Sequence, residues 1–528
     1  MRKRLAAAVV TGAFISAAVG HAPPASAAPP ATGTAAGANV QADFNSDGVA
    51  DLAVGAPRND SGARFGGAVH VIYGSRAGGL RAKGNQRWTQ NSPGIAGKVE
   101  RGDQFGYALA AGDFNGDAFS DLAIAAPYED AGSVDGGAVH VLYGSATGLT
   151  ATGSQVWTQD SAGLGGLMEQ GDKFGLTLAA GNLGRSTHDD LVVGVPDETL
   201  WLDGARLPGT GAVNVIFGST AGLDAAGNQM LTQHTPQTTG TPEIGDGFGR
   251  SLAIGNFGRS AYGDLAVGVG GEFSKTAGVH VIYGATRGLN RSGRQYWTQT
   301  SPGILNGGSC CRSFGRSLAA GDLGRSRYDD LAIGAPDDSP NAEHQGSVTV
   351  LYGARNGLSA AGNQYWTQDS AGIGSTGAYE EAFGQNLTIG NFGKSAHSDL
   401  AIGVPGESTA GDHDGLVQVI YGSAVGLSAT GSQSWNQDSP GIAGHGEDGD
   451  AFGAVLAAAD FGRSGHADLV VGVPSDRTQW VGAGGLNVIY GTADGLRSAG
   501  SQYWNQDSPG IVGASQPYGE FGRVLAQH

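Results

Sequence analysis

Phe521-Gly522-Arg523-Val524-Leu525-Ala526, lying just before the chain stops at His528, is the seventh copy of a segment that the first repeat lacks. Phe-Gly occurs at 105, 174, 248, 314, 383, 452 and 521, at intervals of 69, 74, 66, 69, 69 and 69 residues. A fixed period of that size signals an array. At the other end the chain enters at Val40-Gln41-Ala42, directly before an Asp43 loop and with no Phe-Gly ahead of it. Six complete units plus one split between the termini is what a closed ring needs, because a shared sheet locks the first unit to the last. An open stack would carry polar caps instead.

Within a unit the order of landmarks is constant. After Phe105-Gly106 come Leu109-Ala110-Ala111, a polar loop from Asp113 to Asp121, and Leu122-Ala123-Ile124. An Ala125-Ala126-Pro127 turn, a variable loop, Val139 to Gly144 and finally Gln155 to Gln159 complete it. Each apolar run is four to six residues, β-branched or aromatic, and bounded by Gly, Pro, Asp or Asn. Helices need ten or more residues at a 3.6 period, so these are strands. Four runs per unit make a four-stranded antiparallel blade. The expected fold is all-β: a seven-bladed β-propeller, its ring closed by the C-terminal Phe-Gly strand joining the N-terminal blade.

Glycine, at 95 of 528 residues, recurs at fixed places and does not make low complexity. Residues 1–27 read as a secretory signal: basic Arg2-Lys3-Arg4, an apolar run from Leu5 to Val19 and small residues Ala25-Ser26-Ala27. Residues 28–38 are a flexible Ala/Pro/Thr/Gly leader, and 39–528 form a single propeller. Removing 1–27, which hold three basic residues and no acid, takes the net charge from −18 to −21. So acidic a chain has no field for phosphate backbones, which argues against nucleic acid and anionic lipid as partners. No later stretch is long and apolar enough for a membrane span. The expected product is a secreted, extracellular monomer.

Gly55-Ala56-Pro57 and Gly334-Ala335-Pro336, the Phe-Gly strands and the Asp-rich loops resemble the FG-GAP repeats of the integrin α-subunit head and of similar bacterial secreted proteins. Gly194-Val195-Pro196, Gly403-Val404-Pro405 and Gly472-Val473-Pro474 are one-residue variants, and Gly268-Val269-Gly270 has lost the proline. The resemblance covers essentially all of 40–528. It implies the propeller fold, calcium loops and a binding role, with no room for a separate catalytic domain. Phospholipase D enzymes that cleave glycosylphosphatidylinositol anchors carry similar repeats, but beside such a domain.

Asp43, Asn45, Asp47 and Asp51 place side-chain oxygens at positions 1, 3, 5 and 9 of a loop, with the Val49 carbonyl at position 7. Asp113, Asn115, Asp117, Phe119 and Asp121 repeat the pattern. Calcium wants several oxygens around one point, and this spacing wraps them so. The plainer reading is an Asp/Asn-rich turn held by its own hydrogen bonds. Close carboxylates repel without a cation, so the expectation is calcium at about two sites. The other five loops keep position 9 but read Gly and Ser at 3 and 5, with a base at 4: Arg185, Arg259, Arg325, Lys394 and Arg463. That side chain is expected to fold inward and stand in for the metal. The alternative is a solvent-facing base on a turn.

Alternate loops emerge on opposite faces of the ring. The metal loops share a face with the third-to-fourth connections and are near-copies. The second-to-third loops, such as Tyr128–Gly137 and Asp197–Gly211, vary freely and share the other face with the links between blades. Diverse loops on a rigid scaffold are where binding lives. Trp201 and Trp480 fall in them as possible anchors for an extracellular protein or glycan, local packing being the alternative. Trp88, Trp157, Trp297, Trp366, Trp435 and Trp504 share one repeat position and read as packing.

Arg101-Gly102-Asp103 matches Gly-Asp at 171–172, 245–246 and 449–450, so it reads as a repeat turn and not as an adhesion tripeptide. Cys310 and Cys311 are the only cysteines, and a vicinal disulfide is their expected state in an oxidising compartment. Free thiols or an intermolecular bond are the alternatives. His70, His140 and His280 alternate with Asn214, Thr349, Gln418 and Asn487 at a tolerant strand position. No Gly-x-Ser-x-Gly elbow or His-Glu-x-x-His occurs. The reading is a calcium-binding recognition module, with no catalytic residue assigned. Its rival is a hydrolase or lyase with a site on the variable-loop face.

Overall fold

The computed structural model describes residues 42–235, 241–270, 277–307, 313–409, 413–477 and 480–526. The expected signal and leader, Cys310, Cys311 and His528 lie outside the described residues. In the second unit Leu109–Gly112, Asp121–Ala126, Ala138–Tyr143 and Thr150–Trp157 pair in that order, all antiparallel, from the axis outwards. The two middle strands are buried at every residue and apolar except at Asp121 and His140. Both of their faces pack on neighbouring sheets, which is why they read as continuous apolar runs. The outermost strand mixes glycine and polar residues with partly exposed positions, as an edge facing water requires.

Seven such four-stranded sheets follow one another, and no helix occurs among the described residues. The fold is a seven-bladed β-propeller, as the repeats predict. Blade 1 contributes Leu52–Ala56, Ala68–Tyr73 and Arg81–Trp88, and its innermost strand is the tail, Val524–Leu525. Val54 faces Leu525, Gly55 faces Val524, and the Ala526 N–H donates to the Ala53 carbonyl at 3.1 Å. Blades 2 to 7 begin at Leu109, Thr177, Leu252, Ser317, Asn386 and Val455. A short hairpin, Leu200–Leu202 with Ala205–Leu207, grows from the variable loop of blade 3.

The core lies between blades. All seven Phe-Gly phenylalanines are buried, and each apolar cluster draws on two adjacent blades or more. The seam between blades 7 and 1 is built like the others: Val470, Leu486 and Tyr490 pack with Leu52, Val54, Ile72, Phe521 and Leu525. A rim of hydrogen bonds repeats the message. Tyr73 Oη accepts from the Leu149 amide of the next blade at 3.3 Å, and Gln86 Nε2 donates to the Leu149 carbonyl at 2.9 Å. Tyr283, Tyr352 and Tyr421 do likewise. Across the seam Tyr490 accepts from Leu80 at 3.2 Å. The six repeat-position tryptophans end the outermost strands opposite the start of the third and are buried or half-buried, as packing residues should be.

Ending the chain at Glu520 removes the inner strand of blade 1 and strips Phe521 and Leu525 from the seam. At about 1.5–3 kcal/mol per buried side chain, that truncation is expected to cost roughly 3–6 kcal/mol. Urea unfolding followed by tryptophan fluorescence measures it, and an unchanged midpoint would mean that the seam does not hold the ring.

Candidate functional site

The two acidic loops coil tightly around their own side chains. Ser46 and Gly48 take left-handed φ values of 55° and 80°, and Gly116 and Ala118 take 75° and 70°. Asp43 accepts from the Asp47 and Gly48 amides at 3.1 and 2.8 Å, and Asn45 Oδ1 accepts from Asp47 at 2.9 Å. Asp47 Oδ1 accepts from Val49 at 3.1 Å. In blade 2 Asp113 accepts from Gly116, Asp117 and Ala118 at 2.7, 3.2 and 3.1 Å. Asn115 accepts from Asp117 and Asp117 from Phe119, at 2.9 and 3.0 Å. The side-chain oxygens of positions 1, 3 and 5 therefore turn into the loop, the donor type a hard cation prefers. Among the described residues no three acidic, His or Cys side chains stand in a metal-holding cluster. The loops differ in their surroundings: Arg81 Nη2 lies 3.8 Å from Asp47, and Arg76 donates to the Asp47 carbonyl at 3.2 Å.

Position 9 has a role that the loop pattern does not reveal. Asp51 accepts from the Phe44 amide at 2.9 Å and, with its other oxygen, from Gly74 at 3.0 Å. Asp121 does the same with Phe114 and Gly144. Asp190, Asp264, Asp330, Asp399 and Asp468 repeat both bonds in the five degenerate blades. This carboxylate is a strut that ties the loop to the end of the third strand, with or without a cation pattern. Burial raises its pKa, to about 8 at Asp264, Asp330 and Asp468 and to about 7 at Asp190 and Asp399, against the amide bonds that lower it.

The bases at position 4 do not fold into their own loops, contrary to expectation. Each sits at a left-handed φ of 65–74° and reaches outwards. Arg259 Nη1 donates to the Gly293 carbonyl of its own outermost strand at 2.6 Å, and Nε donates to Asn356 of the next blade at 2.8 Å. Its guanidinium lies 3.8 Å from the centre of the Tyr283 ring. Arg463 bonds Gly500 at 2.6 Å and, across the seam, Gly78 at 2.9 Å, over Tyr490. Arg325 reaches Val425 over Tyr352, Lys394 reaches Gly431 over Tyr421, and Arg185 reaches Ala226 over Phe217. Cation–π contact and carbonyl bonds together make each of them a clamp. A carbonyl inside the outermost strand and an aromatic of the third strand are not visible from the loop itself.

The opposite face carries the variable loops. Trp201, on the blade 3 hairpin, is 63% exposed, and Trp480, in the blade 7 loop, is 47% exposed. Blades 3 and 7 lie three steps apart around the ring, so the two indoles do not form one clamp. Beneath the loops runs a feature the sequence reading missed. Gln159 donates to Glu198 at 2.5 Å and Gln299 to Asp338 at 2.9 Å, and Gln90–Glu129 and Gln368–Glu407 pair in the same way. Each pair joins a blade's exit to the next blade's loop. The signal was present in the register: the acid stands two residues after the turn proline (Pro127-x-Glu129, Pro196-x-Glu198), 39 residues beyond the Gln. Asp103 is buried and caps the Glu100 amide, as Asp172 caps Glu169 and Asp246 caps Glu243. The Arg-Gly-Asp stretch is thus a repeat turn. His70, His140 and His280 are buried against Phe521, Phe105 and Phe248, and burial lowers their pKa to about 3, 4 and 3.

Comparison with known proteins agrees with this geometry. The FG-GAP repeat family model matches residues 35–72 and 105–142. Integrin alpha-PS2 of Drosophila melanogaster is 28% identical over 239 residues, 44% of this chain but 15% of that protein. The phosphatidylinositol-glycan-specific phospholipase D of Mus musculus is 38% identical over 117 residues, 22% of this chain and 14% of that one. A solved exotype rhamnogalacturonan lyase, YesX, aligns over 86% of this chain and 72% of its own at 10% identity and a TM-score of 0.39. The chain thus spans under a fifth of either curated relative. This chain carries FG-GAP repeats in an integrin-like β-propeller.

The name describes a contact. A Cβ on the first residue of the Gly-Ala-Pro turn would lie 2.3 Å from the Gly106 carbonyl at Gly55, 2.3 Å from that of Gly384 at Gly334, and 2.1 Å from that of Gly453 at Gly403. The turn of one FG-GAP blade therefore touches the Phe-Gly of the next, backbone against backbone. Thr177, Ser251 and Ser317 reinforce it by donating to the carbonyls of Gly249, Gly315 and Gly384 at 2.5–2.6 Å.

Burial, helped by neighbouring carboxylates, raises Glu129, Glu198 and Glu407 from 4.5 to about 7. The folded propeller then holds protons that the unfolded chain releases between about pH 4.5 and 7, so its stability falls as pH rises through that window. Thermal unfolding in EDTA is expected several degrees lower at pH 8 than at pH 5, with E198Q flattening the profile. A midpoint that rises with pH would reverse the assignment.

Proposed function

We propose that this chain is a secreted, calcium-binding recognition module whose variable-loop face holds an extracellular protein or glycan. The observation that carries the reading is the difference between the faces. On one, every loop is pinned by the same strut aspartate and most by the same clamp. On the other, loops of unlike length and chemistry stand on that fixed ring and expose Trp201 and Trp480. The integrin-like relatives support an extracellular setting, and no helix among the described residues is long and apolar enough to cross a membrane.

Calcium fits the donor chemistry of two loops. Asp43, Asn45 and Asp47 with the Val49 carbonyl and Asp51 would hold one ion, and Asp113, Asn115 and Asp117 with the Phe119 carbonyl and Asp121 the other. A bound divalent cation would offset the carboxylates that these two loops gather around one point. Calorimetric titration is expected to show about two sites, with D117N removing one and the thermal midpoint rising with calcium. Seven sites, or none, would overturn it.

The rival reading, a hydrolase or lyase, draws on the buried acids of the variable-loop face. Those acids recur from blade to blade on the same glutamines, which is how a joint behaves and not how a single reaction centre does. A glycan and surface-protein array is expected to give hits without turnover, weakened about tenfold or more by W201A or W480A. Product release from a bound glycan would favour the enzyme instead.

A further inference from the structure

The axial channel has unlike ends. On the variable-loop face a cavity of about 270 Å³ is lined by the opening residues of all seven innermost strands. Its only charged lining residues are Arg250, Arg316 and Arg523, each the residue directly after a Phe-Gly. Tyr107, Leu176 and Gln385 hold the same place in other blades. Below them the channel narrows to an apolar waist of about 60 Å³, walled by Leu178, Leu252, Leu318, Leu387 and alanines. On the far face a cavity of about 310 Å³ is lined by Asp51, Asp322 and Asp329 and by no Arg or Lys.

Three arginines lining one mouth are unexpected in a chain of net charge −18. Like charges on a shared rim repel, and low-dielectric walls sharpen their field. Arg523 is partly balanced by Glu520 at 3.8 Å, an acid that Arg58 also holds at 3.0 Å. No carboxylate lines the cavity beside Arg250 and Arg316. The Arg250 Nε is buried and has no hydrogen-bond partner, a donor already stripped of water. Arginine's planar fork matches a carboxylate with two parallel bonds. The waist closes the path beyond, so a ligand enters from this face and stops at the rim.

We propose that this mouth binds a small organic carboxylate of about one sugar ring in size, with Arg250 and Arg316 gripping the carboxylate. Tyr107 and Gln385 offer the ring an aromatic face and an amide. The site lies on the axis, apart from the Trp201 and Trp480 loops, so it stands or falls independently of them.

Calorimetry of the full chain at low ionic strength, with glucuronate, glucose and inorganic sulfate as probes, tests this. Glucuronate is expected to bind and glucose to give no heat, because the two differ in the carboxylate alone. R250A/R316A should weaken glucuronate at least about tenfold, whereas R327A, on the opposite face, should leave Kd unchanged. R316A alone, at an exposed residue, serves if the double variant fails to fold, and is expected to lose several-fold. Equal binding of glucose, sulfate as tight as glucuronate, or an unchanged Kd in a folded arginine variant would each overturn the proposal.

Discussion

A ring of sheets exists only if its last sheet meets its first, and here two residues make that junction. Val524 and Leu525 take the inner edge of blade 1, opposite Gly55 and Val54. Without them the edge of Leu52–Ala56 would face the channel with unpaired backbone groups, which is costly when buried. Once they are in place every blade has two neighbours, and every middle strand can be apolar on both faces. The continuous Val, Leu and Ile runs of this sequence are tolerable only in a closed ring.

Closure alone leaves the blades free to tilt, and three sets of contacts remove that freedom. Near the axis the Gly-Ala-Pro glycine meets the next Phe-Gly carbonyl. At the rim a tyrosine hydroxyl takes the next blade's leucine amide, and on the acidic-loop face Arg259, Arg325 and Arg463 reach the following blade. The first works by steric fit and needs glycine. The other two are directional bonds that fix the angle between blades. Together with the Gln–Glu joints beneath the variable loops they fix the blades, which leaves the outer parts of those loops free to vary.

The period of Phe-Gly and the split unit made the ring legible, because both are statements about order along the chain. So was the packing role of the six tryptophans, which share a register. The strut role of Asp51 and Asp121 was not legible. A loop motif that suits a metal also suits a carboxylate accepting two amides, and one of those amides lies 23 residues away. The outward reach of Arg259 was hidden for the same reason: its partners belong to another strand and another blade. The Gln–Glu joints were readable in principle, since both members hold constant positions. They were overlooked because the loops that contain the acids look variable as wholes.

The loops also show how one electrostatic problem receives two solutions. Each buries an aspartate whose charge is disfavoured by desolvation. In blades 3, 4, 6 and 7 the base at position 4 lies near enough to lower that aspartate's pKa. Blades 1 and 2 have Ser46 and Gly116 at that position and add further carboxylates, so their nearest acids raise the buried one instead. Blade 1 borrows partial relief from Arg76 and Arg81. Asp113 and Asp117 form no ion pair among the described residues. Of the two acidic loops, blade 2's is thus the one without an Arg beside its carboxylates.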